Sequence, residues 1–140
     1  MSTPLSTRIV NANVVLYAGA ESGVVAGFFT EDYRVHTGGG DLALGRDGVR
    51  RVLDRYRQAF SEIHVEVEIL VEGPDRVAWQ RTFQATHTGA FGGFPPARRQ
   101  IAWRDMVTSR FEGGRIAEEW LVTDLAEQLL NARKRGAGTT

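Results

Sequence analysis

Apolar positions recur along this chain with two different periods, and the change between them separates a helical first part from a strand-rich second part. From Leu5 to about Ala18, Ile9, Val10, Val14 and Tyr17 stand at helical spacing, and Glu21 to Phe29 reads as a second, shorter helix. Tyr33 to Thr37 predicts a strand, closed by Gly38-Gly39-Gly40. Arg46 to Phe60 is the clearest helix, with Val49, Val52, Leu53, Tyr56 and Phe60 on one stripe and arginines opposite. Beyond it the period falls to two. His64 to Glu72 alternates cleanly, Arg76 to Thr88 follows a Gly-Pro-Asp turn, and Ile101 to Asp124 alternates on both sides of Gly113-Gly114. A loop from Gly89 to Arg99 holds Pro95-Pro96, and Leu125 to Arg133 predicts a closing helix. Helices first and an antiparallel sheet afterwards define an α+β domain, with the curved sheet wrapped around the N-terminal helices. No repeat or low-complexity linker interrupts it, so residues 1–140 read as one domain with a core from about 5 to 134.

The last hairpin carries the chemistry. Gly113-Gly114 suits a two-residue loop that needs positive φ. Straight pairing across it sets Phe111 against Ile116, Val107 against Trp120, Asp105 against Val122 and Trp103 against Asp124. Three acids, Asp105, Glu118 and Asp124, then share an aromatic and aliphatic face. A carboxylate there costs several kcal/mol unless it is paired, or it shifts its pKa and holds a proton. Such groups cluster at functional sites. On the preceding strand Val77, Trp79, Arg81, Phe83 and His87 share one face, so Arg81 is expected close to these acids.

Composition removes several classes. The 17 basic and 17 acidic residues cancel to zero net charge, which supplies no electrostatic footprint for nucleic acid or an anionic membrane. There is no cysteine, hence no disulfide, thiolate nucleophile or cysteine metal site. His36, His64 and His87 lack short ligand spacing, which argues against a metal. The N-terminal residues lack a signal-peptide pattern and no apolar run is long enough to span a bilayer, so a cytoplasmic protein is the expectation.

Each candidate has a structural alternative. Asp124 precedes Leu125 and is a good N-cap as well as a candidate acid/base. Glu118 can bridge to Arg81 or Arg110, and Asp105 can accept bonds from a neighbouring loop. His36, before the three glycines, is placed for a pocket rim, and His87 either orders the following loop or meets a ligand. Tyr17, Phe28, Tyr33, Trp79, Phe91, Trp103 and Trp120 either line a flat aromatic pocket or fill the core. Phe91 to Pro96 suits a lid or a subunit contact.

Three segments resemble the SnoaL-like polyketide cyclases, a family with the cone-shaped nuclear-transport-factor-2-like α+β barrel. They are Thr30 to His36 with Gly45 to Arg50, the run His87 to Pro96, and Gly114 to Trp120 followed by Asp124. The resemblance spans roughly Tyr17 to Leu130. It implies intramolecular aldol ring closure of an aromatic polyketide keto-ester, a homodimer, and no metal or organic cofactor. It further implies that Asp124 is the general acid/base; beside it, His36 as a donor to the enolate and Asp105 from its place on the hairpin face are the other catalytic candidates. Where the family often has Arg-Trp, this chain has Gln80-Arg81. Isomerases, epoxide hydrolases, hydroxylase-like proteins and plain binding modules share the fold, so these alternatives stay open.

Overall fold

Residues 3–19 and 22–137 are described by the computed structural model. Helix α1 (Leu5–Tyr17) and the single-turn α2 (Val25–Phe28) lead into β1 (Phe29–Thr37) and the short β2 (Gly40–Leu42). Helix α3 (Gly45–Ala59) runs directly into β3 (Phe60–Glu72), followed by β4 (Arg76–His87), β5 (Gln100–Glu112), β6 (Arg115–Thr123) and α4 (Leu125–Ala137). The strands form one open, mixed sheet in the order β2-β1-β6-β5-β4-β3. Every pairing is antiparallel except β1 with β6, which is parallel. This is the α+β cone expected from the sequence, with helices on one face of the sheet, except that the parallel β1–β6 pair makes the sheet mixed where a wholly antiparallel one was expected.

Several predicted elements shift. The start of the expected second helix, Glu21, lies outside the described residues. β1 begins four residues earlier than expected, and the glycine run makes a tight hairpin to β2 through the Thr37–Gly40 pair instead of only ending a strand. The buried stripe of α1 is Ile9, Ala12, Asn13 and Leu16, whereas Val10 and Val14 are 37% and 58% exposed. The inward stripe therefore carries a polar residue that the spacing of large apolar side chains concealed.

The larger correction concerns β6. Phe111 does pair with Ile116, but a bulge follows, so that Arg110 faces Glu118, Ser109 faces Glu119, Val107 faces Leu121 and Asp105 faces Thr123. Ala117 is the extra residue. A one-residue offset exchanges the faces of everything beyond it. Glu119 and Leu121 thus share the helix-covered face with Asp105, and Glu118 and Trp120 stand on the opposite face. Asp124 lies opposite Arg104 rather than Trp103, with its N–H donating to the Arg104 carbonyl at 3.2 Å.

Two apolar groups pack under the helices. One joins Ile9, Leu16, Tyr33 and Trp79 with Phe111 and Ile116 near the hairpin turn. The other joins Phe60, Phe83 and Trp103 with Leu125 and Leu129 of α4. The loop after β4 is fastened to α3, where the N–H groups of Thr88 and Gly89 donate to the Ala59 carbonyl at 2.9 and 3.0 Å. A Cβ on Gly89 would come within 2.2 Å of the Gln58 carbonyl oxygen. Gly89→Ala is therefore expected to cost at least about 1–3 kcal/mol in chemical denaturation. Gly27→Ala, with nothing within 4 Å of the added carbon, should stay within about 0.5 kcal/mol.

Candidate functional site

Between the two apolar groups, a polar row crosses the covered face of the sheet. Arg81 and Asp105 are cross-strand partners on β4 and β5. Arg81 Nε donates to Asp105 Oδ2 at 2.8 Å, and its Nη1 donates to Asn13 Oδ1 at 2.9 Å. Asn13 in turn donates to the Ile9 carbonyl one turn back, which fixes its amide. Aromatic faces surround the guanidinium, with Tyr17, Trp79 and Phe83 centroids 5.5, 5.2 and 4.9 Å from its carbon. Burial opposes the Arg81 charge, but Tyr17, Asp105 and Tyr56 outweigh it and raise its pKa further. Asp105 is only 1% exposed, and its Oδ1 has no hydrogen-bond partner. Arg81 keeps 13% of its side chain accessible, so the row reaches solvent at that end.

A second set sits beside it. The Tyr33 hydroxyl donates to Glu119 Oε1 at 2.6 Å, Ser109 donates to Glu119 Oε2, and Trp79 Nε1 donates to Ser109 Oγ at 2.9 Å. Burial raises the Glu119 pKa, against the pull of the Ser109 and Tyr33 hydrogen bonds and the Arg81 charge. Tyr33 is pushed well above its ordinary value, first by burial and then by the Glu119 charge and bond. Glu119, Ser109 and Asn13 escaped the sequence reading. The signal lay in Ile116-Ala117, two adjacent apolar residues that break the alternation; counted back from Leu121, Glu119 falls inside.

The opposite face carries a different cluster. His36 Nε2 meets Glu118 Oε2 at 2.6 Å and its Nδ1 meets Asp41 Oδ1 at 2.8 Å. Its ring stacks on Trp120 with centroids 5.2 Å apart, and Arg76 covers the other residue of the pair, Trp120, at 5.2 Å. Arg110 Nε donates to Glu118 Oε1 at 3.0 Å. His36, Glu118 and Trp120 are thus brought together, but across the sheet from Asp105. Asp124 joins neither cluster: its Oδ1 accepts the Arg104 N–H at 2.7 Å and its Oδ2 accepts Gln128 Nε2 at 3.2 Å. That use secures the junction of β6 with α4.

The remaining candidates lie around the interior. Phe28 packs partly buried against the first apolar group, and Tyr17 touches both groups. Phe83 stacks on Trp103 at 4.9 Å, and Phe91 meets Tyr56 edge-on at 5.5 Å. His87 accepts the Ala97 N–H on Nδ1 at 3.1 Å. Trp103 Nε1 and His87 Nε2 are buried without a partner, each leaving a hydrogen bond unmade at a cost of about 1–3 kcal/mol. Among the described residues, no group of three or more His, Asp or Glu is placed to hold a metal ion, and no helix is long and apolar enough to cross a membrane.

The covered face of this open α+β cone thus buries two acids and an arginine among aromatic rings. The SnoaL-like polyketide cyclase family model matches residues 9–131, and the chain belongs to that family. Among solved structures it is similar to IdmH, a proposed polyketide cyclase of Streptomyces antibioticus, at 22% identity and TM-score 0.80, covering 94% of this chain and 99% of that one. A SnoaL-like polyketide cyclase from Agrobacterium tumefaciens is 23% identical with TM-score 0.77, over 91% of this chain and 99% of the other. AclR, a proposed hydroxylase of Streptomyces galilaeus, is also 23% identical, with TM-score 0.74 over 93% and 83%. These likenesses establish the fold. No curated protein matches the chain.

The His36 cluster makes a pH prediction. The bonds to Glu118 and then Asp41 raise the His36 pKa, and the bonds from His36 and then Arg110 lower that of Glu118. A raised histidine stabilises the fold fully below its unfolded pKa of about 6.5 and loses that contribution as pH climbs through the folded value. The lowered Glu118 contributes above about 4.3 and fails as pH falls through its folded value. The melting-temperature gap between wild type and His36→Gln is therefore expected to be widest near pH 6 and to shrink towards pH 9. A gap that stays constant over that range would mean the ion pairs contribute nothing.

Proposed function

We propose that the chain is a cofactor-independent cyclase that closes a ring in an aromatic polyketide keto-ester by intramolecular aldol addition, with Asp105 as the general base. The observation that carries this is the state of the Asp105 carboxylate. Oδ2 is held by Arg81, while Oδ1 is buried and unpartnered. A carbon acid offers its base no strong hydrogen bond beforehand, so an oxygen kept free of other donors suits it. Oδ1 takes a proton from the carbon between a ketone and an ester, the resulting enolate carbon attacks the ketone to be closed, and a C–C bond forms. The ketone oxygen gathers the electron pair and receives the proton back from Asp105, leaving a hydroxyl and an unchanged mass. Two Arg81 N–H bonds go to Asp105 and Asn13; the other guanidinium N–H groups can face the developing oxyanion.

Asp124 acts at a distance in this scheme, by holding β5 and α4 in register. Purified protein without added metal or cofactor should convert an anthraquinone-type keto-ester to a ring-closed product of equal mass. Asp105→Asn, checked for folding by circular dichroism, should lose about 10²–10⁴-fold in kcat. Asp124→Asn should stay within about tenfold of wild type, less than the loss of an acid/base group. The reverse order would move the base to Asp124.

A second reaction is favoured by one specific feature. Glu119 lies close enough to Arg81 and Asp105 for their charges to act on it, so two acids flank one arginine. Paired acids of that kind activate water for epoxide opening, and a product heavier by one water would select this reading.

We further propose a homodimer formed through the uncovered sheet face. Val122 and Met106 there are 69% and 50% exposed and, with Trp120, Thr108 and Leu70, line a shallow apolar groove of about 480 Å³. Light scattering after gel filtration should give about twice the 15.5 kDa chain mass for wild type. Val122→Glu should give the single-chain mass, and an already monomeric wild type would end the dimer reading.

A further inference from the structure

Arginine and a carboxylate usually close on each other through two parallel bonds. The Arg81–Asp105 pair makes only one of them. A guanidinium presents Nε and Nη2 along one edge, with Nη1 lying off that edge. Nε donates to Asp105 Oδ2 at 2.8 Å. The matching bond from Nη2 is missing, because Oδ1 is buried and accepts from no donor. On the other side of the guanidinium, Nη1 donates to Asn13 Oδ1 at 2.9 Å. One cation is thus tied to a strand acid and to a helix amide at the same time.

A buried acceptor left open beside a donor with N–H groups to spare is a state that something must hold, since making the bond would remove a desolvation cost. The contacts around the guanidinium differ in how far they can do so. Tyr17, Trp79 and Phe83 attract the charge through their ring faces, which does little to fix its rotation in its own plane. Asn13 supplies the directed bond. Its side chain has little freedom of its own: it is 4% exposed on the inward stripe of α1, and its Nδ2 donates to the Ile9 carbonyl at 2.9 Å. Helix α1 packs on β3 and β4, so this anchor is fixed relative to the strand that carries Arg81. Filling the stripe alone would not require an amide, because leucine would serve as well.

We propose that Asn13 is a positioning residue: by holding Nη1 from α1, it limits the Arg81–Asp105 pair to one bond and keeps Asp105 Oδ1 open. The catalytic consequence rests on the reading of Asp105 as the base given above, whereas the bonding pattern does not. Without the Asn13 acceptor the guanidinium is free to swing until Nη2 reaches Oδ1. Both carboxylate oxygens are then occupied, and a carbon acid finds no free oxygen to take its proton. The readiness of an acid on β5 is in this way set from a helix.

Crystal structures and kinetics of Asn13→Leu test it, beside Asn13→Ser, a milder change whose short hydroxyl turns back to the Ile9 carbonyl. Wild-type crystals, which need no variant to fold, should show Oδ1 open. In either variant Nη2 should come to about 3 Å from Oδ1. With the keto-ester, kcat should fall about tenfold or more while KM stays within about threefold, the mark of a lost transition-state contribution. In an Asp105→Asn background the same substitution should cost less than about twofold, because a residue that acts through Asp105 has nothing left to act on. A merely structural role would carry its full loss into that background. A doubly bonded pair in wild-type crystals overturns the inference, as does a singly bonded pair in the variants or a full loss on top of Asp105→Asn. If the second bond forms in the variants but Asp105→Asn is as active as wild type, the bonding role stands and the base reading is retired. Turnover that needs Asp105, with the pair unchanged by loss of Asn13, does the reverse.

Discussion

The ion pair between Arg81 and Asp105 is the constraint to which the rest of this fold conforms. Two charges removed from water must meet at good geometry and be held there, because removing one partner of a buried pair costs about 3–5 kcal/mol. Here they occupy directly opposed positions on neighbouring strands, so the register of β4 with β5 follows from the pair as much as from side-chain packing. Asn13 extends the constraint to α1 by accepting from the same guanidinium. The apolar residues then divide on either side, Trp79 and Val107 with the hairpin end, Phe83 and Trp103 with α4. An interior built wholly of hydrocarbon would be simpler to stabilise, but it would not single out one register for the two strands.

The bulge at Ala117 decides which of two adjacent glutamates enters the interior. Without it Glu118 would enter the interior and Glu119 would leave it. With it, Glu119 receives bonds from Tyr33 and Ser109 inside, and Glu118 pairs with His36 and Arg110 outside. The inner acid is held where burial favours its neutral form, and the outer one where partners favour its charge. Alternation alone sets the two glutamates on opposite faces, and the inserted residue determines which of them takes which character.

Much of the architecture was legible because it rests on periodicity. The change from a period of 3.6 to one of 2, the Gly113-Gly114 turn and the apolar stripe of α3 all express themselves over many residues. The inward positions of Arg81 and Asp105 followed from the same alternation. What stayed hidden depends on single residues. A bulge leaves only a local break in alternation, so Glu118, Trp120 and Asp124 were assigned to the wrong side or the wrong partner. Asn13 was hidden for another reason: a polar residue inside a helical stripe reads as surface until an arginine from elsewhere in the chain is seen to meet it. β2, three residues long, has too few positions to show any period.

The parallel pairing of β1 with β6 has a consequence for how the protein comes into being. β1 is made early, yet its long-range partner is the last strand, and Tyr33 and Glu119 are 86 positions apart in the chain. Until β6 leaves the ribosome, the strand neighbour available to β1 is the three-residue β2. Contacts of such separation close late and slow the search for the native state. An early strand left with an open edge during synthesis invites pairing with other chains. The N-terminal segment therefore waits on the C-terminal one, and truncation of β6 would leave β1 without a place in the sheet.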